Sequence, residues 1–153
     1  MADLNICHSP DAITTLGLGS CVGVALYDKN TKTAGLVHVM LPDSTKVRQN
    51  QNRAKFADTG IDYLIELLEK EGAKKSSLTA KIAGGAQMFA FSSSNDMLRV
   101  GERNVEAVKD KLKKLGIRIL AEDTGLNYGR TVEFYPETGD FIIKSVGKLV
   151  KTI

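Results

Sequence analysis

The sequence predicts an α/β chain of the α+β class: largely antiparallel β-sheet packed with two main helices. Three observations lead there. Most apolar runs alternate at period two, only two runs change to the helical period of 3.6, and turn-forming clusters join the strands as hairpins more often than as βαβ units.

In chain order, Leu4–His8 and Ile13–Leu18 read as short strands separated by the turn signal Ser9-Pro10-Asp11. Residues 22–27 and 34–41 make a hairpin, with Asp28-Lys29-Asn30-Thr31-Lys32 supplying the turn. Ala57, Ile61, Leu64, Ile65 and Leu68 then recur at helical spacing, and Gly72 stands where a cap glycine belongs. Residues 78–83 form a strand, followed by Gly84-Gly85 and an irregular segment reaching Asn104, a length more often functional than idle. Val105, Val108, Leu112 and Leu115 repeat the helical pattern, closed by Gly116. Three strands complete the chain: residues 117–122, Arg130–Tyr135 and residues 141–146, the last two joined through Pro136-Glu137-Thr138-Gly139-Asp140.

The chain has 153 residues, three prolines and no low-complexity run, so residues 1–153 read as one domain. With 42% hydrophobic and 25% charged residues, the composition excludes a disordered or fibrous chain. The net charge of +3 comes from lysines scattered among acids. The nearest basic cluster, Lys111, Lys113 and Lys114, has no aromatic interleaving, so nucleic acid is not an expected partner. No secretory leader and no run of roughly 20 apolar residues is present, so membrane insertion is not expected and the cytoplasm is the expected compartment. There thiols stay reduced, which argues against a disulfide between Cys7 and Cys21.

The hairpin carries the chemistry. A turn centred between Asn30 and Thr31 sets Val22 opposite Val39 and Val24 opposite Val37, both apolar pairs on one face. The same register sets His38 opposite Gly23 and Cys21 opposite Met40, so Cys21 and His38 share the other face as diagonal neighbours about 7 to 8 Å apart at the backbone. A one-residue slip would part them. A thiol beside an imidazole is the minimum equipment of a cysteine nucleophile. Gly17, Gly19 and Gly23 leave room for a substrate to approach, and amides around Gly19, Ser20 and Cys21 can donate to an oxyanion.

Spacing alone leaves two readings of this pair open: a nucleophile with its base, or a buried structural cysteine on a sheet. A third group must orient the imidazole, and Thr15 is a candidate because it lies an even number of residues before Cys21. Its alternative is a β-branched strand residue. Cys7, His8, Cys21 and His38 match no closed zinc module, so no metal is expected, and no cofactor is needed.

The chain resembles the CheD family of chemoreceptor glutamine deamidases in a series of blocks. These are Gly17-Leu18-Gly19-Ser20-Cys21 with His38-Val39-Met40-Leu41-Pro42, Lys55-Phe56-Ala57-Asp58, and Lys81-Ile82-Ala83-Gly84-Gly85-Ala86 with Met88-Phe89. Gly101-Glu102-Arg103-Asn104, Glu122-Asp123-Thr124-Gly125, Gly129-Arg130 and Thr138-Gly139 follow. One departure is Leu126, where a second glycine is expected after Gly125.

The resemblance implies a sandwich-like β core flanked by helices, as in the catalytic domains of deamidating toxins. It also implies a triad of Cys21 as nucleophile, His38 as base and Thr15 as orienting hydroxyl. The implied substrate is the side-chain amide of particular glutamines on cytoplasmic helices of chemotaxis receptors. CheC, a phosphatase of the response regulator CheY, is the implied partner, and some receptor methylesterase activity is implied as well. Such a substrate calls for a shallow, accessible groove, with Met88, Phe89 and Phe91 as candidates for its wall or for the partner surface; their alternative is the core. There are two rival functions: a binding module whose main task is to bind and stimulate CheC, and a thiol hydrolase or transferase with another acyl substrate, which would use the same triad.

Overall fold

A computed structural model describes residues 3–49, 51–89 and 99–153. The strands are β1 (Leu4–His8), β2 (Ile13–Leu18), β3 (Val22–Asp28), β4 (Thr33–Val39), β5 (Thr79–Gly84), β6 (Arg118–Thr124), β7 (Arg130–Tyr135), β8 (Asp140–Lys144) and β9 (Lys151–Thr152). The main helices are α1 (Ala57–Lys70) and α2 (Val100–Lys114). Two sheets result, one ordered β1-β4-β3-β5-β6 and the other β2-β7-β8-β9. Every described pairing between strands is antiparallel except β5 with β6, which α2 connects.

Side-chain alternation along the β3/β4 hairpin explains the layers. Val22, Val24, Leu26, Val37 and Val39 pack with Ile61, Leu64 and Leu68 of α1 and Val108 and Leu112 of α2. Cys21, Ala25, Ala34 and Leu36 instead join Leu18, Val132, Phe134, Phe141 and Ile143 between the two sheets. The hairpin is therefore buried on both faces, with helices on one side and the second sheet on the other. Each fully buried Val, Leu or Phe on these faces contributes on the order of 1.5–3 kcal/mol relative to exposure. Gly23 lets the second sheet close in, since a Cβ there would lie 3.1 Å from Leu18 Cδ1 and 3.6 Å from Val132 Cγ2. The space left by this glycine is occupied by core, not left for substrate.

The hairpin turn is held by Asp28, whose buried carboxylate accepts from the Asn30 amide at 2.9 Å and the Lys74 amide at 3.2 Å. The helices end as their glycines require: Gly72 and Gly116 adopt φ of 95° and 70°, conformations that cost glycine little. Two features depart from the sequence expectation. The segment expected to be irregular has narrower bounds, because Gly84 belongs to β5 and α2 begins at Val100, ahead of the apolar repeat; residues 90–98 lie outside the described residues. The short pairing of β9 with β8 carries no hydrophobic period that could announce it.

Leu126 follows Gly125 with φ of 61°, the left-handed conformation that glycine would take without strain, and its side chain is exposed. Its carbonyl accepts from the Gln87 amide at 2.8 Å, so the loop must keep that conformation. A non-glycine residue held there costs about 1–3 kcal/mol, partly offset by the lower unfolded-state entropy of a side chain. Leu126→Gly is expected to raise stability by about 1 kcal/mol in chemical denaturation. Gly101→Ala should do the opposite by about 1–3 kcal/mol, since its Cβ would meet the Ala86 and Gly85 carbonyl oxygens at 2.5 and 2.6 Å.

Candidate active site

The β3/β4 ladder pairs Val22 with Val39, Gly23 with His38 and Val24 with Val37. This is the register that the valines dictate. It puts the His38 side chain on the face between the sheets, the face that Cys21 also joins just ahead of β3. His38 is buried, and Cys21 keeps 9% of its surface exposed. The thiol is thus more enclosed than the open groove expected for a helical substrate, while Gly19 and Ser20 beside it are half-buried.

Thr15 reaches the imidazole by another route than strand alternation. It lies on β2 in the opposite sheet, paired with Val132, and its Oγ1 is 2.8 Å from His38 Nδ1. The register of β2 shifts between Thr15 and Leu18, with Gly17 at φ of 69°, so counting residues from Thr15 to Cys21 carries no orientation. The contact spans the sandwich. With the ring proton on Nδ1, Thr15 Oγ1 accepts it and Nε2 keeps its lone pair. Nε2 is buried and has no hydrogen-bond partner among the described residues.

Burial sets the electrostatics. It pushes the Cys21 thiol above its ordinary value and holds the His38 imidazole below its own. Both shifts disfavour charge, which favours a neutral thiol and a neutral imidazole on the shared face, and among the described residues no hydrogen bond joins Nε2 to the thiol. Cys7, half-buried and near Asp11, is pushed up to about 11 by desolvation and then by that carboxylate, which makes it a poor nucleophile at neutral pH.

The backbone around Cys21 is fixed from the β5 side. Gly85 N–H donates to the Cys21 carbonyl at 2.8 Å and Ala86 N–H to the Gly19 carbonyl at 2.8 Å. Only glycine fits at position 84, where a Cβ would lie 2.2 Å from the Cys21 carbonyl oxygen. Gly19 N–H donates to the Gly17 carbonyl at 3.1 Å, so of the amides expected to receive an oxyanion, that of Gly19 is already engaged. Behind β5, Gly125 N–H donates to the Gly84 carbonyl at 2.9 Å. Buried Arg130 anchors that loop, bonding Asp123 Oδ2 and the Gly125 carbonyl, each at 3.1 Å.

Met88 and Phe89 are not core: they are 45% and 69% exposed, and Leu16 is 65% exposed. Met88 lies over Gly19, its Cγ 3.4 Å from where a Cβ of Gly19 would stand. Phe91 lies outside the described residues. Among those described, no three His, Cys, Asp or Glu side chains come together as a metal site requires, and His8 is engaged with Thr33 and Glu71. No helix among the described residues is long and apolar enough to cross a membrane.

The sequence reading assigned no role to Asn104. It is fully buried on α2, and its Nδ2 donates to the Ser20 carbonyl at 3.0 Å and the Met40 carbonyl at 2.9 Å. A signal was present: Asn104, Val108 and Leu112 fall at intervals of four, placing a polar side chain on the buried stripe where it must find partners.

Comparisons with known proteins place the chain in a family. The family model described as CheD chemotactic sensory transduction matches residues 40–145. Similar proteins align over all of this chain, including the segment that carries Thr15, Cys21 and His38. A probable chemoreceptor glutamine deamidase CheD of Lachnoclostridium phytofermentans is 70% identical, covering 100% of this chain and 95% of its own length. The chemoreceptor glutamine deamidases CheD of Halalkalibacterium halodurans and Bacillus subtilis are 58% and 51% identical, again over 100% of this chain, and over 95% and 93% of their own lengths.

The buried imidazole has a measurable consequence. A histidine held below its ordinary pKa binds fewer protons folded than unfolded, so stability is fully present above about pH 6.5 and falls as pH drops from there toward the folded pKa. In an NMR titration, with the signal assigned by its loss in His38→Ala, the His38 ring is expected to titrate below 6.5, the ordinary value of a histidine. A midpoint above that value would mean the imidazole is held as a cation.

Proposed function

Because the chain belongs to the CheD chemotactic sensory transduction family, we propose that it hydrolyses the side-chain amide of particular glutamines to glutamate on cytoplasmic helices of chemotaxis receptors. The observation that carries the reading is the bond from His38 Nδ1 to Thr15, which leaves Nε2 buried and unpartnered on the face that Cys21 shares. In this reading residues 1–153 act as one cytoplasmic catalytic domain.

The reaction follows from a neutral pair. His38 Nε2 takes the thiol proton as Cys21 Sγ attacks the amide carbon, so the thiolate exists mainly as it reacts. Amides of Ser20 and Cys21 receive the oxyanion. The C–N bond breaks as the imidazolium returns its proton to the departing nitrogen, releasing ammonia and leaving a thioester on Cys21. Water then attacks the thioester carbon while His38 takes its proton. The C–S bond breaks, the proton passes to sulfur, and glutamate leaves. Each group returns to its starting state, and water is the only co-reactant.

In this reading Thr15 holds the ring through Nδ1 and leaves Nε2 free for the thiol proton. A neutral acceptor suits a neutral base: a carboxylate in its place would favour the imidazolium and raise the histidine pKa. Exposed Met88, which lies over Gly19, and its neighbour Phe89 give the loop an apolar rim suited to one face of an amphipathic helix. A receptor helix would use this rim. A CheC-like phosphatase binding there would compete with the receptor and so couple deamidation to signalling, with Phe91 a further candidate for that surface.

Cys21→Ala is expected to fold as the parent and to abolish release of ammonia from a receptor fragment. Mass spectrometry of the fragment's peptides should show the amide-to-acid mass gain at glutamine with the parent alone; undiminished conversion by the variant would overturn the reading. Thr15→Ala should lower kcat by roughly 10- to 100-fold with KM little changed, a smaller loss than removal of the base, while Thr15→Ser stays near the parent rate. Equal kinetics for all three would remove Thr15 from the site.

A further inference from the structure

We propose that Asn104 is a positioning residue that sets the separation of Cys21 and His38 by bridging the two strands where their own ladder stops. The last ladder pair on this side is Val22 with Val39, so Cys21 and Met40 lie one step beyond it. Past that point the strands take other partners. The Met40 and Leu41 amides both donate to the Lys55 carbonyl, at 2.8 and 3.0 Å, while the Cys21 carbonyl is taken by Gly85. Asn104 Nδ2 spans the gap, reaching Ser20 O on one strand and Met40 O on the other.

The chemistry of the amide fixes its orientation. Both partners are carbonyl oxygens and can only accept, so the atom facing them is the NH2 group, and its two hydrogens are both used. One nitrogen thus ties the residue before the nucleophile to the residue two beyond the base. Oδ1, by contrast, is buried without a hydrogen-bond partner among the described residues. An unsatisfied buried acceptor costs about 1–3 kcal/mol, so this is a poor way to fill space on an apolar helix face. What Asn104 supplies in return is the pair of donors.

Its placement is also held from below. Gly101, one turn earlier on α2, sits against the Gly85 and Ala86 carbonyls, and these residues bond the Cys21 loop. The helix therefore approaches the site on glycine and fastens it with asparagine.

The proposal rests on the Cys21–His38 reading, and its test separates the two. The rate of alkylation of Cys21 by iodoacetamide at neutral pH is measured by peptide mapping in the full-length chain, in a double-mutant cycle of Asn104→Ala with His38→Ala. His38→Ala alone should slow the reaction if the imidazole assists the thiol. Asn104→Ala should slow it about tenfold in the parent but less than about twofold once His38 is gone, because only the alignment of the pair is lost. On a receptor fragment the same variant should lose kcat with KM nearly unchanged. Parent-like alkylation in Asn104→Ala, or an equal loss with and without His38, overturns the positioning role and leaves the pair standing. No effect of His38→Ala overturns the pair itself and the proposal with it. If Asn104→Ala does not fold, Asn104→Ser, which retains one donor, is carried through the same cycle. Failure of both to fold also overturns the proposal, since the residue would then hold the fold and not the pair.

Discussion

The register of one hairpin decides the geometry of the site. Val22 and Val24 face Val39 and Val37, and the four side chains belong to the core beneath α1 and α2. Because the side-chain period of a strand is two, committing the valines to the helices commits the alternate positions to the gap between the sheets. A slip of one residue would turn buried valines into that gap and move the imidazole toward the helices. Burial of the valines thus puts the thiol and the imidazole on one face, where Cys21 itself joins the apolar cluster between the sheets. The second sheet then closes over Gly23 and brings Thr15 to the imidazole from the opposite side.

Enclosure determines the chemical character of the pair. Burial raises the thiol and lowers the imidazole, and among the described residues Thr15 is the hydrogen-bond partner of the ring. A permanent thiolate is not favoured in such a place. In the proposed reaction a neutral base would serve a neutral nucleophile on the same face, with loop amides receiving the negative charge that develops on substrate oxygen. That arrangement suits an amide, whose poor leaving group needs a proton at the moment of departure. The imidazolium formed by the attack holds that proton.

Much of this was legible in the sequence, for physical reasons that also mark the limits. The strands Ile13–Leu18 and Arg130–Tyr135, the hairpin register and the helix ends at Gly72 and Gly116 rest on local periodicity and turn chemistry, which a single sequence displays. Thr15 was named for an along-strand spacing that the bulge at Leu16–Gly17 invalidates; its contact with His38 depends on how two sheets stack, which no local pattern encodes. The start of α2 was missed because Val100–Arg103 precede the apolar repeat and lie on Gly85 and Ala86 by close backbone approach. Asn104 broke a hydrophobic stripe and so announced a buried polar role, but its partners on two other segments became visible only in three dimensions.

The central claim is that the glutamine acyl group is transferred to Cys21, with loss of ammonia, before it meets water. The direct measurement is intact-protein and peptide mass spectrometry of acid-quenched samples during turnover of a receptor fragment. The account predicts a transient thioester linking the peptide that contains Cys21 to the receptor glutamine, rising before glutamate accumulates and absent after Cys21 has been alkylated. Glutamate formation at an unchanged rate by the alkylated protein, with no adduct on Cys21 at any time, would contradict it.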